Sequence, residues 1–64
     1  MNQKEKLILM EFARKIAKLN LLINCEFSTY NYDYEVITYV DEVQILDADE
    51  NIVVSIRKED VKDE

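Results

Sequence analysis

The sequence predicts an α+β fold: one N-terminal helix packed on a three- or four-stranded antiparallel β-meander. Three observations carry this. Apolar residues recur at helical spacing from Gln3 to Ile23. After Asn24 the chain turns to Val, Ile, Thr and Tyr, which suit a pleated, half-buried surface, and the helical period stops. Finally, two apolar alternations flank the turn-forming run Asp47-Ala48-Asp49-Glu50-Asn51.

The helix is expected over about 3–23. Asn2 can accept from first-turn amides while Glu5 reaches back, a start of the capping-box kind. At 100° per residue, Ile8, Leu9, Phe12, Ala13, Ile16, Leu19 and Ile23 share one stripe, interrupted by Glu5 and Asn20, and this stripe is the expected core face. Lys4, Glu11, Arg14, Lys15 and Lys18 occupy another arc. Between them lies a weaker apolar patch of Met10, Ala17 and Leu21, with Leu7 at its border. A helix of about 21 residues is a rod of roughly 31 Å, longer than the ~20 Å of a six-residue strand. The overhang and the patch together motivate a homodimer or other homo-oligomer assembled through Leu7, Met10, Ala17 and Leu21.

The meander is expected over about 25–57, with strands at 25–29, 32–40, 42–47 and 51–57, followed by a charged tail at 58–64 that frays. A turn centred on Asp47 to Asn51 sets Ile45 opposite Val54 and Val43 opposite Ile56, with Ile52 beside them on the face that meets the helix. Val36 to Val40 is apolar at both parities, which marks a central strand covered on both faces or a bulge. The chain has no Gly, so its turns cannot use the Asn-Gly hairpin and should be type I or longer. The alternative fold is a small SH3-like or Sm-like barrel preceded by a helix. It rests on Val53-Val54-Ser55-Ile56-Arg57-Lys58-Glu59-Asp60-Val61, which resembles the last strand and following turn of such barrels, although the Gly positions those folds use at bends are absent.

Composition narrows function mainly by exclusion. The 64 residues include no His, Gly, Pro or Trp, and one Cys. Cys25 has no partner for an intramolecular disulfide and no His to activate it, and it is expected to be a small buried hydrophobe. Ser28 and Thr29 likewise lack the usual base, so no nucleophilic constellation is present and a non-enzymatic protein without cofactor is expected. Asp47, Asp49 and Asn51 match the first three ligand positions of a calcium loop. Ile52 then replaces its Gly and Lys58 its final Glu, so an ordinary acidic turn is expected and no metal. No apolar run reaches a membrane span and no signal-peptide stretch is present, so the expected location is the cytoplasm.

The net charge of −6 is unevenly placed. Through Asn24 five basic residues outnumber two acidic ones, whereas from Cys25 onward twelve acidic residues face three basic ones. This opposes direct binding to nucleic acid or an anionic membrane and favours a basic protein surface. Tyr30, Tyr32 and Tyr34 recur at spacing two and share a strand face, while Asn31, Asp33 and Glu35 point the other way. Small acidic chains of this size and charge resemble bacteriophage or mobile-element inhibitors, including anti-CRISPR and DNA-mimic proteins. That resemblance implies an inhibitor occupying the basic surface of a nucleic-acid-binding enzyme. The residues expected to make the contact are Asp33, Glu35, Asp47, Asp49 and Glu50, with Tyr32 and Tyr34 as anchors.

Overall fold

The computed structural model describes residues 3–29 and 32–61. Helix α1 spans Gln3–Leu19 and is followed by strands β1 (Asn24–Thr29), β2 (Tyr32–Thr38), β3 (Glu42–Asp47) and β4 (Ile52–Arg57), then a 3-10 turn at Lys58–Val61. The four strands form one antiparallel sheet in the order β1-β2-β3-β4, so the fold is α+β with an open sheet and the barrel alternative is not realised. The N-cap expected at Asn2 lies outside the described residues.

The helix stops four residues earlier than the apolar period predicts, because Asn20 enters the left-handed region at φ 56°. There its N–H donates to the Ala17 carbonyl at 3.1 Å and the Leu21 N–H donates to Ile16 at 3.2 Å, the paired bonds of a Schellman cap. The Lys58 ammonium donates to the Asn20 side-chain oxygen at 2.9 Å, holding the cap against the far end of the chain. With 17 residues the helix loses much of the overhang expected of it.

The core comprises Leu9, Ala13, Ile16 and Ala17 of α1 against Tyr34, Val36, Val43, Ile45 and Val54 of the sheet. Relative to the expected stripe the helix is rotated. Ala17, assigned to an outer patch, is 5% exposed, and Met10 is half-buried against the core, while Ile8, Phe12 and Leu19 are exposed. The cause is where α1 lies: it packs over β3 and β4 and against the 3-10 turn, off the centre of the sheet, so the arc toward that turn is covered and the arc toward β1 is not. The expected oligomer patch therefore divides, with Leu7 and Leu21 at the surface and Ala17 and Met10 turned inward.

The β3–β4 hairpin has the expected register, Ile45 opposite Val54 and Val43 opposite Ile56. Past Ile45 it slips by one residue, so Leu46 opposes Ile52 and Val53 is the extra residue of a bulge. That slip sends Ile52 to solvent, 55% exposed, and turns Val53 toward the core instead. The turn itself is closed by the Glu50 N–H donating to the Asp47 carbonyl at 2.9 Å, with Glu50 at φ 67° in the place a glycine would take.

Val36 to Val40 is neither a doubly covered strand nor a bulge. Strand β2 is central and ends at Thr38, Val36 is buried on the helix side, and Ile37 is half-buried on the other face, which no described element covers. Val40 is exposed in the turn that Tyr39 closes by donating to the Glu42 carbonyl at 2.7 Å. The tail does not fray over Lys58–Val61. Its 3-10 turn is anchored by the Lys58 N–H on the Asp41 carbonyl at 2.9 Å and by Val61 against the core.

Candidate functional site

Strands β1 and β2 pair with Glu26 opposite Glu35 and Ser28 opposite Asp33, which aligns these four side chains on the sheet face away from α1. At the same end of the sheet the β3–β4 turn brings up Asp47, Ala48 and Glu50. The result is a cleft of about 430 Å³ lined by Glu26, Ser28, Asp33, Glu35, Asp47, Ala48 and Glu50, with Phe27 and Tyr34 between them. Among the described residues no Lys or Arg lines it.

Two of its carboxylates are held in place. The Ser28 hydroxyl donates to Asp33 Oδ1 at 2.6 Å. One oxygen of Asp47 accepts the backbone N–H groups of Asp49 and Asn51, each at 2.9 Å. The Asn51 amide bond is the first cause, and with the Asp49 bond it keeps the Asp47 carboxyl below its ordinary value of 3.8 against a smaller opposing effect of burial. The carboxylates of Glu26, Glu35 and Glu50 take no hydrogen bond or ion pair from the described residues, and those of Glu26 and Glu35 face one another as like charges on adjacent strands.

The structure thus gathers Asp33, Glu35, Asp47 and Glu50 from the expected set and adds Glu26. Asp49 sits exposed on the turn and does not line the cleft. Of the two tyrosines only Tyr34 touches the cleft, at its floor, and Tyr32 does not line it. Tyr32 lies on the helix side of the sheet, its ring 6.3 Å from that of Tyr34, and Tyr34 at 3% exposure belongs to the core. Tyr34 is therefore corrected from a contact residue to a packing residue. It joins a tilted aromatic chain, with Phe27 5.6 Å away and Phe12 of α1 5.0 Å beyond that. Burial first, then the nearby Glu5, Tyr32 and Asp47, push its phenol above the ordinary 10.0. Tyr30 and Asn31 lie outside the described residues.

Cys25, expected inside, is exposed, because α1 does not reach over that part of β1. Glu26 was missed for a related reason: its position on the acidic face follows from the β1–β2 register, which the sequence around Cys25 does not fix.

Among the described residues no group of three or more His, Cys, Asp and Glu side chains is arranged to hold a metal ion. No described helix is long and apolar enough to cross a membrane. Compared with protein-family models, curated proteins and solved structures, the chain matches none.

Proposed function

We propose that this protein is a non-enzymatic binding protein that occupies a basic surface on another macromolecule, with the acidic cleft as its contact. One observation carries the reading: Glu26, Asp33, Glu35, Asp47 and Glu50, drawn from three strands and a turn, surround one cleft that no basic residue among the described residues lines. Carboxylates fixed on a sheet present negative charge at set spacings, as a phosphate backbone does, and such an array both steers encounter and fits a surface rich in Lys and Arg. The concrete form is an inhibitor, of phage or mobile-element type, that covers the basic surface of a nucleic-acid-binding enzyme in the cytoplasm.

The test is affinity for a basic nucleic-acid-binding protein recovered with this chain at low salt. Asp33→Lys with Glu35→Lys should weaken binding by about tenfold or more, and wild-type affinity should fall as salt rises. Unchanged affinity of the double variant at low salt would remove the cleft from the reading.

A further inference from the structure

Strand β1 is an edge of the sheet, and the hydrogen-bond parity says which of its backbone groups are free. Because the Tyr39 N–H bonds to Glu42, residues 39, 37 and 35 direct their backbone polar groups to β3, and Thr38, Val36, Tyr34 and Tyr32 direct theirs to β1. Their partners in β1 are Cys25, Phe27 and Thr29. The N–H and C=O groups of Asn24, Glu26 and Ser28 consequently point away from the sheet, and no described strand lies beyond them.

The opposite edge carries the devices that discourage strand addition: a bulge at Val53, the charge of Arg57, and a 3-10 turn folded back at its end. Strand β1 has no bulge and no Lys, Arg or Pro, and α1 touches it through the Phe12–Phe27 rings and the Thr29–Glu5 bond without packing along its outer edge. We infer that this edge is a docking site for an extended segment of a partner protein in which basic and apolar residues alternate, added antiparallel as a fifth strand. The inference rests on the basic-partner reading above and deepens it.

The alternation follows from what lies on the two faces beside β1. Residues directly opposite one another share a face, so a side chain placed against Glu26 joins the row of Glu26 and Glu35, two carboxylates already opposed. A Lys or Arg there neutralises that row, with Asp33 one pair further along. The incoming strand's other side chains fall on the helix side, beside Phe27, the exposed Cys25 and the part-exposed Phe12 that packs on Phe27, where apolar groups fit. A second copy is the poorer occupant. Pairing β1 to itself about Glu26 sets Glu26 against its own copy, and joins two chains of net charge −6.

The test is a nine-residue peptide alternating Lys and Val, titrated at low salt against the full chain, beside a permuted peptide of the same composition. In the added strand the Lys amides face β1 and the Val amides face solvent. The alternating peptide should bind about tenfold tighter than the permuted one. N-methylation of its Lys amides should erase that preference, and N-methylation of its Val amides should leave it. Hydrogen exchange at Asn24, Glu26 and Ser28 should slow on binding. Ser28→Pro, which removes only an outward N–H from the ladder, should lose the preference that Ser28→Ala keeps. Equal binding of the two peptides, insensitive to Lys N-methylation, would overturn the edge site and leave the basic-partner reading standing. Binding of neither would overturn both. Dimers of the wild type that Ser28→Pro abolishes would give the edge to a second copy and overturn the proposal.

Discussion

The Thr29 hydroxyl donates to the Glu5 carboxylate, joining the end of edge strand β1 to the first turn of α1 across 24 residues of chain. Glu5 is only 4% exposed, and as an acid in the first turn it also meets the positive end of the helix dipole. Together with the Phe12–Phe27 ring contact, this bond ties β1 to a helix that otherwise packs on the far half of the sheet.

Thr29→Val removes a donor from a buried carboxylate and should cost about 1.5–3 kcal/mol. Glu5→Leu combined with Thr29→Val should cost less than the two single losses added together, since neither group of this pair is then left polar without the other. Urea denaturation of the four species, read as a double-mutant cycle, checks this. Additive effects would show that the bond contributes no coupling.

How much of this was legible beforehand varied with the range of the interaction involved. The β3–β4 register followed from a local turn and two alternations, so Ile45 with Val54 and Val43 with Ile56 could be read directly. The helix was readable as a helix, but which arc it buries depends on where it sits over the sheet. That was fixed by a 3-10 turn some 40 residues away in a tail that composition marked as loose, so Ala17 and Leu19 changed places. Asn20 was legible in principle as a cap, being a residue that tolerates the left-handed region. The acidic cleft was half legible: parity put Asp33 and Glu35 on one face, but bringing Glu26 beside them required a pairing that no local signal around Cys25 specified.

Glu50 occupies the left-handed region without the side-chain bonding that lets Asn do so. Glu50→Gly should therefore raise stability by about 1 kcal/mol, while weakening the binding of basic ligands by removing one carboxylate from the cleft. Thermal melts and a binding titration on the same protein should move in opposite directions. A lower melting temperature would mean that the turn needs the Glu side chain more than the conformational relief.

Asp47 and Glu42 govern part of the acid response. Backbone bonds from Asn51 and Asp49 lower Asp47, and the hydroxyl of Ser55 with the amide of Gln44 lowers Glu42. A depressed folded value adds stability that is complete above the ordinary carboxyl value and is lost as pH falls through the folded one. Hence the advantage of wild type over Asp47→Ala should be constant near neutrality, begin to shrink as pH falls to about 3.8, and disappear below the folded value. Urea midpoints of both proteins from pH 7 to 2 test it, and a difference independent of pH would refute the assignment.

At the alkaline end the sign reverses. The Tyr34 phenol is raised above 10.0 chiefly by burial, so the folded state holds the proton after the unfolded chain has released it. The corresponding stability is present below pH 10 and is lost as pH rises toward the folded value. Tyr34→Phe keeps the ring packing with Phe27 and has no proton to lose, so its stability relative to wild type should climb above pH 10. Parallel curves for the two proteins up to pH 11.5 would mean that the hydroxyl is reached by water.

The rotation of α1 makes a prediction opposite to that of the apolar stripe. On the stripe alone Leu19 is core and Ala17 peripheral, whereas in the fold Ala17 is 5% exposed against the sheet and Leu19 is 60% exposed. A larger side chain at Ala17 has no space to enter, so Ala17→Leu should cost about 1–3 kcal/mol by overpacking, even though it adds an apolar group and keeps helix propensity. Leu19→Lys should change stability by no more than about 0.5 kcal/mol, as surface substitutions do, and its position in the last turn suits a positive charge. Denaturation midpoints rank the two. If Leu19→Lys proves the more damaging, that side chain is covered in solution, and a dimer seen by light scattering at the concentration of the melt, absent in the variant, would identify a second copy as the cover.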